Sequence, residues 1–272
     1  MSYIPLVAKV ESIPPLPESV LKIEQLFAQG DPEIKELVKI IESDPLLTAD
    51  ILAKTNSPFY GFSRKIVSVL QATTLFGPTQ IRSLVLHSAI QRSFDVDISP
   101  YNISTNMFSQ ISAMQNEFFF QWYMGVDIDT AKKISPMAFL MEIGKILIAK
   151  EIIETDKTED FITDLYSYQN IEYVENKYVH MTTAQINALI FEHLHLNEIF
   201  YEVMQYLDSD KEPPLELEKK VNALRIVQSA INVLEQLSDT SIERATEMVK
   251  EQGYDTEHFL RVVKRIRNKY LD

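Results

Sequence analysis

The sequence predicts an all-α fold, and three features carry that expectation. Six glycines in 272 residues leave few places for positive-φ turns, against a usual share of about 7%. Apolar residues recur every three or four positions, while no segment alternates as a half-buried strand would. Helix-start signals (Asp31-Pro32, Asp44-Pro45, Ser135-Pro136) punctuate the chain, each pairing a capping side chain with a proline that tolerates the first helical turn.

Taken in order, Pro14–Pro17 is stiff and extended, because proline fixes its own φ and restricts its neighbour. A helix follows from Pro17 to Gln29, with Val20, Ile23 and Phe27 on one face. Asp31-Pro32 starts a second, carrying Ile34, Leu37, Val38 and Ile41. Asp44-Pro45 starts a third, which Asn56-Ser57-Pro58 ends, and Phe59-Tyr60-Gly61 turns the chain. Ser68 with Gln71 reads as a capping box. Gly77-Pro78 closes that helix and opens the next, where Ile81, Leu84, Val85 and Ala89 face a core. Asp95–Asn102 is polar and aperiodic, so the division falls between residues 1–98 and 99–272. Beyond it, a helix spans Thr105–Met124 with Phe108, Ile111, Phe118 and Trp122 among its apolar positions. Ser135-Pro136 begins one that is apolar all round to Ala149, as a helix at the centre of a bundle would be. Further helices fit Glu159–Gln169, Thr182–His193 (capped by Thr182 and Gln185), Glu198–Leu207, Leu215–Leu237, Ser241–Gln252 and Thr256–Tyr270, with Gly253 at a helix end.

Composition narrows the function. With no cysteine, disulfides, thiolate zinc sites and cysteine nucleophiles are excluded, which fits a reducing cytoplasm. The N-terminus lacks the basic and apolar segments of a secretion signal, and no stretch reaches the roughly 18 apolar residues of a membrane span; a cytoplasmic location is expected. Net charge is −13, with 9 basic and 11 acidic residues in 1–98 but 17 and 28 in 99–272. Such a surface repels phosphate backbones, so nucleic acid is not the expected partner. Arg261, Lys264, Arg265, Arg267 and Lys269 form a basic tail, read as cations favoured at a helix C-terminus or as a docking surface for an acidic partner.

Three segments carry a family resemblance. They are IPPLPESVLKI from Ile13, IIESDPLLTADILAKTNSPFYG from Ile40, and QATTLFGPTQIRSLVL from Gln71. In order and spacing they resemble the HDOD family, relatives of the HD and HD-GYP phosphohydrolases, over roughly Ile13–Leu207. The resemblance implies an N-terminal helical subdomain packed on an HD-like bundle. It also directs attention to Phe139–Ile148, FLMEIGKILI. Catalytic HD relatives read roughly LLHDIGKL there, and the His-Asp pair holds the metal. Here Met141 and Glu142 replace that pair, while Ile143, Gly144 and Lys145 remain. By the same resemblance the first ligand position falls at Phe108 and a later one at Thr183, and Met204–Asp208 lacks the late histidines. Phe offers no lone pair and Met only a soft thioether, so Glu142 alone could still ligate a hard divalent ion, and one carboxylate does not make a site. No metal and no cofactor are expected.

Other candidates are weighed against plainer roles. His193 and His195 stand two apart, so they share no helix face unless the helix breaks there; His87 reads as packed. Asp44 and Pro45 form a helix start, and Asn56 and Ser57 a helix stop. Gly61, Gly77 and Arg82 belong to the HDOD segments. Phe59, Tyr60 and Phe62 make an aromatic loop beside Arg64 and Lys65, which either plugs the junction between the halves or offers a partner surface. The resemblance implies a non-enzymatic signalling module whose partner is a signalling protein, such as a response regulator or another two-component or motility regulator. The alternatives are a degenerate phosphohydrolase, in which Lys145 meets a phosphate, and a nucleotide-sensing relative without turnover.

Overall fold

The computed structural model describes residues 4–209 and 211–271; the first three residues of the stretch read for a leader lie outside them. The structure is all-α, with no strand among the described residues and a single isolated bridge between Ile231 and Gln236. Helix α1 (Ile4–Glu11) opens the chain, a helix the sequence reading missed. Two compact units follow from the packing: Pro14–Asp95, and Met1–Ile13 together with Val96–Asp272. The division expected at 98/99 therefore falls at 95/96, and the N-terminal segment groups with the larger unit.

The smaller unit holds α2 (Glu18–Ala28), α3 (Ile34–Glu42), α4 (Pro45–Thr55), α5 (Val69–Phe76) and α6 (Pro78–Gln91). Asp44 caps α4 by accepting from Leu46 N at 3.1 Å and Leu47 N at 3.0 Å. Asp31 does not cap α3; extended backbone at Glu33 delays that helix to Ile34. Ser68 caps α5 through Gln71 N, but Gln71 returns its side chain to Val67 N, so the box is offset by one residue. Gly77, at φ 81°, lets α5 end and α6 begin at Pro78 without an intervening loop.

The larger unit continues with α7 (Thr105–Tyr123), α8 (Ile128–Leu140), α9 (Lys145–Glu154), α10 (Thr158–Tyr168), α11 (Ile171–Val179), α12 (Thr183–His193), α13 (Glu198–Leu207), α14 (Leu215–Ala230), α15 (Asp239–Glu251) and α16 (Thr256–Tyr270). α7 packs on α8, α14 and α16. Phe118, Trp122 and Phe259 meet edge to face or tilted at its heart.

Three expectations for this unit are corrected. Ser135-Pro136 starts no helix: α8 begins eight residues earlier, capped by Asp127, and Ser135 Oγ donates instead to Asn116 Oδ1 at 2.7 Å. The apolar run to Ala149 is two helices, because Met141–Gly144 forms a turn between α8 and α9. The helix expected over 215–237 stops at Ala230, where Asn232 Oδ1 takes Leu234 N and Glu235 N. A side chain satisfying nearby backbone in this way competes with helix continuation. Thr182 and Gln185 do form the full capping box of α12.

Candidate functional site

The turn at Met141–Gly144 delivers the site, and Asn187 of α12 holds it. Asn187 Nδ2 donates to Met141 O at 2.6 Å, and its Oδ1 accepts Gly144 N at 2.7 Å. Glycine is required at 144. A Cβ there would lie 2.7 Å from Thr183 O and 2.9 Å from Asn187 Oδ1. This close approach presses the turn onto the start of α12.

Two charged side chains leave the turn and go inward. Glu142 is 1% exposed and Lys145 2%. Burying them is costly unless each charge is met. The Lys145 ammonium donates to Glu175 Oε1 at 3.0 Å and Thr183 Oγ1 at 2.9 Å and is ion-paired with Glu142 Oε2 at 3.0 Å, so its charge is met on both sides. The two carboxylates hold the Lys145 amine charged, outweighing its burial and raising its pKa.

Glu175, fully buried on α11, gathers further donors. Tyr101 OH donates to Oε1 at 2.8 Å, Thr183 Oγ1 to the same oxygen at 2.7 Å, and Thr183 N to Oε2 at 2.7 Å. Burial raises the Glu175 pKa and Lys145 opposes the shift. Burial, with Glu175 beside it, pushes the Tyr101 phenol well above its ordinary range. Asp208 Oδ2 takes Ala184 N at 3.0 Å, so two carboxylates meet the unpaired N–H groups at the start of α12. On the far side, Gln115 Nε2 bridges Glu142 Oε1 at 2.7 Å and Ile231 O at 2.8 Å.

Above this cluster opens a cleft of about 830 Å³ with Glu142 and Lys145 among its lining residues. Glu172 and Asp208 stand on its wall. Burial, reinforced by the Asp208 charge, pushes the half-buried Glu172 carboxyl up to about 7.

The residues present do not fit a divalent metal. Phe108 is buried with no donor atom, and Met141 is buried, with its backbone carbonyl bound by Asn187. Thr183 Oγ1 donates to Glu175 and accepts from Lys145. Glu142, the one carboxylate at these positions, is ion-paired with Lys145 at 3.0 Å. Among the described residues no three His, Asp or Glu side chains are disposed to hold a metal ion. α12 does end at His193, but that ring lies 2.9 Å from Ile13 O and His195 sits apart at φ 53°.

Of the expected site positions, the structure brings Glu142 and Thr183 together around Lys145. The α7 side chain touching Glu142 is Gln115, seven residues after Phe108. Lys145, which one alternative has meeting a phosphate, is engaged here by Glu142, Glu175 and Thr183. The sequence reading missed Gln115, Glu175, Tyr101 and Asn187. The signal for Gln115 was present, since 108, 111, 115, 118 and 122 form one apolar stripe that a lone amide interrupts.

In the smaller unit most singled-out residues are structural. Asn56 clasps Ile66 by accepting its N–H and donating to its carbonyl, both at 2.8 Å. Arg82 makes a bidentate pair with Glu24, at 2.8 and 2.6 Å, and lies over the Phe27 ring. Ser57 and Pro58 start a 3₁₀ turn that Gly61 ends at φ 65°. Phe59, Tyr60 and Phe76 pack edge to face. Phe62, 45% exposed, stands beside exposed Arg64 and Lys65. The basic tail is drawn into the larger unit: Arg267 pairs with Asp239, Lys269 with Glu117, and Arg265 with Gln121.

Comparison with known proteins adds the following. A family model described as the HDOD domain matches residues 13–209. An uncharacterised protein from Treponema pallidum (strain Nichols) is 25% identical over 77 residues, 28% of this chain and only 15% of that protein's length. A virulence factor from Campylobacter jejuni subsp. jejuni, of known crystal structure, is 25% identical and superposes with a TM-score of 0.60 over 99% of this chain and 96% of its own. A presumed phosphohydrolase from Shewanella amazonensis, at 16% identity, shares the fold with a TM-score of 0.68 over 98% and 96% of the two chains.

Proposed function

The chain belongs to the HDOD family, and from that premise we propose that it is a non-enzymatic signalling module acting through protein–protein contact. One observation carries the reading: at the positions where the catalytic pattern supplies ligands, Phe108 and Met141 are buried without a hard donor, and Glu142 is ion-paired with Lys145, whereas metal-dependent hydrolysis needs a held ion and an activated water. Among the described residues no helix is long and apolar enough to cross a membrane, and work in the cytoplasm is part of this proposal. The surface offered to a partner is the loop around Phe62, Arg64 and Lys65. Two exposed cations beside an exposed aromatic ring, in a chain of net charge −13, suit an acidic partner surface such as a signalling regulator presents.

The test is affinity capture from the native cell with the intact chain, comparing wild type with Arg64→Glu/Lys65→Glu. The proposal expects a reproducible partner whose recovery falls at least about tenfold in the variant, since a charge pair lost at an interface costs on the order of 1.4 kcal/mol or more. An unchanged partner set in the variant removes this surface from the account. Metal-dependent turnover of a phosphodiester by wild type, abolished in Glu142→Gln, overturns the non-enzymatic reading.

A further inference from the structure

We propose that the exposed face of α5, together with the loop before it, docks one acidic amphipathic helix of a partner protein. This rests on the reading of the chain as a signalling module: it names the kind of partner segment and extends the contact from Phe62, Arg64 and Lys65 onto α5.

A surface helix ordinarily turns charged or polar side chains to water. α3, packed beside α5, does so with Lys35, Glu36, Lys39 and Glu42. α5 does not. It carries no charged residue, and after burying Val69, Ala72 and Thr73 it leaves Leu70 49% and Leu75 52% exposed. At about 100° per residue, these two leucines and Thr74 between them cover an arc of about 140°. Thr74 spends its hydroxyl on Leu70 O at 2.8 Å. Val67, 71% exposed, extends the apolar face at its start, and Phe62, whose ring lies 5.4 Å from that of Phe76, extends it at its end. Single exposed apolar residues are ordinary, but Phe62, Val67, Leu70 and Leu75 gather around one helix face, as at a contact site.

Charge selects the occupant. The chain has 39 acidic residues in 272, yet residues 51–94 hold none, while Lys54, Arg64, Lys65, Arg82 and Arg92 fall among them. Arg82 and Arg92 are paired with Glu24 and Asp50. Arg64 and Lys65, which stand between Phe62 and Val67 in the chain, are exposed, and neither side chain makes an ion pair or hydrogen bond with any described residue. Two cations without counter-ions beside an apolar face are matched by carboxylates beside an apolar stripe. An acidic amphipathic helix has that make-up, with its anchors at i, i+3, i+4 and i+7. An anionic membrane is the poorer match, because two cations fall short of the roughly four to eight that bind lipid headgroups, and the chain as a whole carries −13.

The experiment is fluorescence anisotropy of a labelled peptide of about twenty residues, long enough to form a helix, titrated with the full chain. The peptide has leucine along one face and glutamate along the other; a second peptide has lysine in place of each glutamate. The variants are Leu70→Ser/Leu75→Ser and Arg64→Glu/Lys65→Glu. Leu215→Ser removes an 86% exposed leucine from α14 and controls for general stickiness. All of these side chains are exposed, so the substitutions leave the fold in place. The expected result is one acidic peptide per chain, bound at least about tenfold more weakly by either double variant and unchanged by Leu215→Ser, with the lysine peptide at least about tenfold weaker on wild type. Overturning results are no saturable binding of the acidic peptide, binding that Leu70→Ser/Leu75→Ser leaves unaltered, equal affinity for the lysine peptide, attachment to phosphatidylglycerol vesicles without peptide binding, or self-association in sedimentation equilibrium that Leu70→Ser/Leu75→Ser abolishes. Recovery of a native partner that falls in Arg64→Glu/Lys65→Glu but not in Leu70→Ser/Leu75→Ser keeps the signalling reading and overturns the α5 contact alone.

Discussion

A lysine amine removed from water needs partners for its charge and its protons, and Lys145 finds them in hydrogen bonds to Glu175 and Thr183 and an ion pair with Glu142. Removing the amine would leave two buried carboxylates facing each other with no cation between them. Lys145→Met is therefore expected to destabilise the chain by about 3–5 kcal/mol, measured by urea unfolding at pH 7. Adding Glu142→Gln to that variant removes one of the stranded charges and is expected to recover part of the loss. A Lys145→Met chain as stable as wild type would show that the ammonium is not the centre of the cluster. In the sequence, Glu142 and Lys145 were visible as two charges three residues apart in an otherwise apolar run. Their partner Glu175 was not visible, because a glutamate in a short polar segment carries no mark of burial until the fold encloses it.

At the scale of elements, the turn between α8 and α9 is what aims these side chains. The sequence read it as the middle of one greasy helix, since Phe139–Leu147 is apolar enough to satisfy either conformation. Gly144 was the available clue. Its role depends on the close approach of α12, which local spacing does not reveal. Gly144→Ala is expected to cost about 1–3 kcal/mol by overpacking against Thr183 O and Asn187 Oδ1, read as a lowered urea midpoint with an unchanged slope. A neutral effect would mean that the turn and α12 separate easily. Helices with strong start signals were legible: Asp44-Pro45, Gly77-Pro78 and Thr182 with Gln185 lie where the spacing predicts. α11 was missed because only Ile171, Val174 and Val179 mark its apolar face, although Asn170 caps it through Tyr173 N at 2.8 Å. Ser135-Pro136 misled because the serine spends its hydroxyl on Asn116, a tertiary contact with no local signature.

At the scale of the whole molecule, the all-α class and the family were readable from the sequence. The motif segments in Ile13–Leu86 carry the family resemblance, and the structure shows why many of their residues are needed: Asp44, Asn56, Gly77 and Arg82 each hold backbone or a neighbouring helix in place. The chemistry of the larger unit was readable only as replacement, in Phe108, Met141, Glu142 and Thr183. What stands there, a lysine ringed by carboxylates, needed three dimensions. The central claim is that the replaced positions Phe108, Met141 and Thr183 leave no ligand set for a transition ion. The direct measurement is elemental analysis by mass spectrometry of the full chain, purified without chelator or affinity metal and supplied with manganese, iron and zinc. Far less than one ion per chain is predicted. One equivalent of a transition ion, lost in Glu142→Gln, would contradict it.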